Sequence, residues 1–107
     1  MSESDNAVQR FRALIDHHDR PPAGMGAELS ALWWTRKGDW HAAHDLISRV
    51  HTPLGSWIHA HLHVIEGDLG NAGYWYAKAG RQGPDRPHDL EAEWEQLAAA
   101  AGADRLP

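Results

Sequence analysis

The sequence predicts an all-α domain of about six helices, and three observations carry that expectation. Apolar residues recur at three- and four-residue spacing from one end of the chain to the other. The segments so defined are separated by Gly-Asp, Thr-Pro and Gly-Pro breaks. No segment reads as a strand. At 107 residues the chain is expected to form a single helical domain, with a repeat-like core over about residues 25–80 and flanking helices over about 6–18 and 88–101.

Taken in order, the first helix is expected to be capped by Ser4 or Asp5. Val8, Phe11, Leu14, Ile15 and His18 lie along one face, and the helix should stop before Asp19-Arg20-Pro21-Pro22, because proline disfavours helix in the residue ahead of it. The second helix spans about Met25 to Lys37. Met25, Leu29, Leu32 and Trp33 share one face while Ala27, Ala31 and Trp34 lie on the other, which predicts contact from two directions. Gly38 ends it and Asp39 caps the third, Trp40 to His51, whose stripe of Trp40, Ala43, Leu46, Ile47 and Val50 is bordered by His44 and His51.

Thr52-Pro53 breaks that helix. The fourth is expected over about Leu54 to Glu66 and the fifth over about Leu69 to Gly80, with Ala72, Trp75, Tyr76 and Ala79 on one side. Arg81 to Pro87 reads as a loop, and the last helix follows His88 or Asp89. Leu90, Trp94, Leu97, Ala98 and Ala101 form its apolar face, Gly102 suits its C-terminal cap, and Glu91, Glu93 and Glu95 suit the helix dipole near its start.

Composition narrows the function classes. The formal net charge of −5, with no Lys/Arg-rich run, argues against a nucleic-acid partner. The absence of cysteine excludes disulfides, thiolate zinc sites and a cysteine nucleophile. No apolar run approaches a membrane span and no signal-peptide pattern opens the chain, so a cytoplasmic protein without a membrane partner is expected. No glycine-rich phosphate loop or Ser/His/Asp arrangement is legible, and no catalytic residue is assigned.

The two central helix pairs match each other at an offset of about 29 residues. Gly26 meets Gly55, Ala31 meets Ala60, Gly38-Asp39 meets Gly67-Asp68, Ala43 meets Ala72, Ile47 meets Tyr76 and Val50 meets Ala79. Alanine on facing helices allows close approach, and each Gly-Asp step supplies the end of one helix and the cap of the next. Leu69 to Ala79, with Ala72, Tyr76 and Ala79 in a small–aromatic–small pattern, resembles the second helix of a tetratricopeptide-type repeat. The likeness covers about half the chain, with a period shorter than the usual roughly 34 residues and only two repeats. It implies stacked helical hairpins with a concave surface for a protein or peptide, and no catalytic residues.

Nine histidines in 107 residues raise a second possibility. At about 100° per residue, His59, His63 and Glu66 fall together on one side of the fourth helix, while His61 sits inside its apolar arc. His59, His63 and Glu66 along one face, joined by His44 from the third helix with His41 or Asp45 behind it, have the donor chemistry for zinc or another divalent metal. The apolar arc turns His59 and His63 to water, whereas the repeat register turns them towards the fifth helix. The arc uses more residues and is the expectation adopted.

The leading functional expectation is a non-catalytic interaction module. Its partner is a protein or peptide, a second copy of the chain included, met by a surface carrying Trp34, Trp57 and His61. The alternative is a metal-binding or histidine-dependent enzyme centred on His44, His59, His63 and Glu66.

Overall fold

The computed structural model describes residues 3–83 and 89–106, with side chains from residue 6 onward. Six α-helices follow one another: α1 Glu3–His17, α2 Ala27–Lys37, α3 Trp40–Ile47, α4 Pro53–Ile65, α5 Leu69–Lys78 and α6 Leu90–Ala100. A short 3-10 turn, Ala103–Arg105, closes the chain, and no strand occurs among the described residues. The all-α expectation therefore holds. No helix among the described residues is long and apolar enough to cross a membrane.

Several boundaries differ from those expected. Helix α1 begins at Glu3, so Ser4 and Asp5 lie inside it rather than capping it. Helix α3 stops at Ile47, four residues before His51. The reason lies downstream: Thr52 is extended (φ −105°, ψ 163°) and its hydroxyl accepts from Gly55 N at 3.0 Å, with Pro53 opening α4. His51 is left exposed outside the helix, so the His44/His51 border pair does not form. His88 and residues 84–87 of the expected loop lie outside the described residues.

The two central hairpins turn in the same way. Gly38 and Gly67 take positive φ, 82° and 85°, and the next amide, of Asp39 or Asp68, donates 2.9 Å back to Trp34 O or His63 O. Asp39 and Asp68 then cap α3 and α5 by accepting from Ala42 N and Asn71 N at 3.0 and 3.1 Å. Ala31, Ala43, Ala60 and Ala72 are all buried, as close helix approach requires.

Helix α4 is the centre of the molecule. It packs against α2, α3, α5 and α6, and every residue from Gly55 to Val64 is buried. A helix surrounded on all sides must be apolar or internally satisfied all round, and α4 carries no Asp, Glu, Lys or Arg between Pro53 and Ile65. The expectation that His59 and His63 face water is overturned: each is 5% exposed. Gly55 is fixed by packing, since a Cβ there would lie 2.5 Å from Val50 O. Gly26, its partner in the repeat alignment, has open space around it.

Aromatic side chains join the outer helices to this centre. Phe11 of α1 stacks on Trp94 of α6 with centroids 5.7 Å apart, and Trp94 Nε1 donates to Leu32 O of α2 at 3.0 Å. Trp33 is fully buried and its neighbour Trp34 half-buried, as adjacent helical positions dictate. Trp57 and His61 are buried, so the expected surface through Trp34, Trp57 and His61 does not exist as one exposed patch.

Candidate metal centre

Residues two apart on a helix point to different sides, and residues four apart to the same side. In α4 this divides the histidines: His59 and His63 face α3 and α5, and His61 faces α6. Helix α3 brings His44 to the first pair, and the ligand nitrogens of His44, His59 and His63 lie within 4.8 Å of one another. His44 is half-buried and the other two are buried. Tetrahedral zinc, with bonds of about 2.1 Å, spaces its nitrogens about 3.4 Å apart. The three imidazoles thus need to close by at most about 1.4 Å, within reach of small side-chain rotations.

Two tryptophans hold the rings. Trp40 stacks on His44 with centroids 4.7 Å apart and planes 11° from parallel, and its Nε1 donates to Leu62 O at 2.7 Å. Trp75 of α5 stacks on His59. Each ring face so covered is withheld from water, and the nitrogens at the ring edge stay open to one another.

Electrostatics favour the neutral, ligand form. Burial pushes His59 down from 6.5 to about 4, with the neighbouring His44 and His63 adding to the shift. His44 is lowered as well, first by burial and then by His63. A neutral imidazole offers a lone pair without first losing a proton. His63 Nδ1 lies 2.5 Å from Glu66 Oε1, so Nδ1–H donates to the carboxylate and Nε2 is the ring nitrogen left for a metal.

The expected set is therefore brought together in part. His44, His59 and His63 converge. Glu66, exposed at the end of α4, joins His63 and Asp68 in an adjoining group and orients one imidazole. His41 packs edge-on against Trp40 and is exposed, as is Asp45.

Three residues that matter here were not expected at this site. Trp40 and Trp75 were read as apolar stripe residues, and Glu93 as a charge that suits the start of the last helix. Glu93 of α6 is a buried carboxylate: Oε2 accepts from Trp57 Nε1 at 3.1 Å and Tyr76 Oη at 2.6 Å, and Oε1 from His61 Nδ1 at 2.6 Å. Burial and the Glu93 hydrogen bond push the Tyr76 hydroxyl up, so it stays a donor. The signal was present in the spacing, since Glu93 lies three after Leu90 and four before Leu97, on the apolar stripe.

No protein-family model, curated protein or solved structure matches this chain.

Proposed function

We propose that the protein binds a divalent transition metal, zinc foremost, through His44, His59 and His63. The observation that carries this reading is the convergence of three imidazoles from two helices, two of them buried. Imidazole nitrogen suits zinc, copper and nickel, and an all-nitrogen neutral set leaves the ion its full charge. Three protein ligands leave a fourth position for water or a substrate oxygen, which is the donor count of catalytic rather than structural zinc. The Glu66 carboxylate on His63 and the tryptophan faces on His44 and His59 supply the outer support that ligating histidines need.

The interaction-module reading keeps the support of the two matching Gly-Asp turns. It loses that of the aromatic patch, because Trp57 and His61 are buried.

The test is metal content of the untagged protein by mass spectrometry, with zinc, nickel and copper titrations of wild type, His59→Ala and His63→Ala. One equivalent of metal, lost in both variants while the helical circular dichroism is retained, is the expected result. Absence of stoichiometric metal, or affinity unchanged in both variants, overturns the reading.

A further inference from the structure

On the other side of α4 lies a second arrangement that the metal reading does not use. A cavity of about 240 Å³ opens between α2, α4 and α6. Its polar lining is Thr35, Arg36 and His61, its apolar lining Ile65, Leu90 and Trp94, and Glu91 also borders it. His61 is 1% exposed. Its Nδ1 is committed to Glu93, and its other nitrogen, Nε2, hydrogen bonds to no described residue. Arg36 also has an unmet donor: Nε is buried without a hydrogen bond and lies 3.7 Å from Asp16 Oδ1. The guanidinium is kept in place by Glu91, 3.2 Å from its NH1, and by the Trp94 ring, 5.4 Å from its centre.

We propose that this cavity binds a small carboxylic acid. Its carboxyl group is held between His61 Nε2 and Arg36, and its apolar body lies against Ile65, Leu90 and Trp94. The volume is below the roughly 300–1,000 Å³ of sites for drug-sized ligands, which limits the guest to a single ring or a short branched chain. A carboxyl group satisfies both unmet atoms at once, since its two oxygens meet a guanidinium side by side or divide between two partners. The proton shared by His61 Nε2 and the nearer carboxyl oxygen enters with the acid, or from solvent with its anion, and Glu93 on Nδ1 leaves Nε2 as the ring nitrogen that shares it. The charged and titratable groups around the imidazole are Glu93 and Glu91 of α6, Tyr76 of α5 and Arg36 of α2. Arg12 of α1 also pairs with Glu91, so Glu91 is held when a ligand engages Arg36.

The experiment is a titration of the whole protein with benzoate and with benzamide, its uncharged isostere, followed by the ring resonances of the histidines in carbon–proton NMR spectra. Benzoate is expected to bind saturably, to move the His61 signals most, and to bind at least about tenfold more tightly than benzamide, as a charge-assisted contact implies. Arg36→Gln, at a partly exposed position, is expected to weaken benzoate about tenfold or more without loss of helical signal. His61→Gln should do the same, and His59→Ala should leave benzoate affinity unchanged, which separates this site from the metal. No saturable benzoate binding, equal affinity for benzamide, or Arg36→Gln binding benzoate as wild type does would each overturn the proposal.

Discussion

Trp75 lies flat on His59, with ring centroids 3.8 Å apart and planes 11° from parallel. The indole is thereby a wall of the candidate metal centre and a part of the α4–α5 packing at once. Trp75→Ala is expected to lower stability by about 2–3 kcal/mol, less than the roughly 3–5 kcal/mol of a fully buried tryptophan, because Trp75 is half-buried. It should also raise the His59 pKa by readmitting water to the ring face. Urea unfolding and histidine NMR titration measure the two effects, and an unmoved His59 titration would assign its depression to other contacts.

The same burial makes stability depend on pH. Between about 4 and 6.5 the unfolded chain binds a proton at His59 that the folded chain refuses, so stability rises with pH across that window. The contribution is complete above 6.5 and is lost as the pH falls towards 4. His44, also lowered, acts in the same direction. Denaturant midpoints measured from about pH 7 down to 4.5 should fall for wild type and fall less for His59→Gln. Parallel slopes for the two proteins would show that His59 is not held neutral.

If His63 is a metal ligand, Glu66 acts through it. Glu66→Gln removes the carboxylate from His63 Nδ1 and is expected to weaken zinc about 10- to 100-fold, with little loss of stability because Glu66 is exposed. Zinc competition assays read this out, and an affinity equal to wild type would remove Glu66 from the site.

Glu93 has the opposite profile. Glu93→Ala leaves Trp57 Nε1, His61 Nδ1 and Tyr76 Oη without their shared acceptor and is expected to cost about 3–5 kcal/mol. Tyr76→Phe removes only one of the three donors and should cost about 1.5–3 kcal/mol, the range for a hydrogen bond to a charged group. A Tyr76→Phe loss as large as that of Glu93→Ala would mean the ring position, rather than the carboxylate, organises the cluster.

Gly55 and Gly26 match in the repeat alignment and differ in what surrounds them. Gly55→Ala places a methyl 2.5 Å from Val50 O and is expected to cost about 1–3 kcal/mol. Gly26→Ala meets nothing within 4 Å, at a backbone of φ −64° and ψ 162° that alanine adopts freely; the smaller unfolded-chain entropy offsets alanine's weaker fit at the N-cap, and stability should change by under about 0.5 kcal/mol. Thermal unfolding of the two variants checks the contrast.

Much of the architecture was legible because it rests on local chemistry. The Gly38-Asp39 and Gly67-Asp68 steps act through their own backbone and caps, and both lie where the sequence places them. The orientation of α4 was not legible from its apolar arc, because the arc treats histidine as polar and hence outward. Imidazoles stacked on Trp40 and Trp75 behave as flat, half-apolar rings, and the charge-free run from Pro53 to Ile65 was the better signal. Of the candidate site, His44, His59 and His63 follow from spacing and the neighbouring helix. The Glu93 cluster depends on contacts 17 to 36 residues apart, and the Trp75 face on His59 on a contact between two helices, which periodicity along one helix does not encode.

Helix α4 places Trp57 and His61 towards one side and His59 and His63 towards the other. It therefore works as a shared axle. A substitution at one of these side chains is felt on one side alone. A turn of the whole helix, by even a fraction of the 100° between successive residues, moves both sets together. Insertion or deletion of a single residue within α4 would dismantle both candidate sites in one step, and that is a stronger constraint on its length than on the identity of any residue it carries.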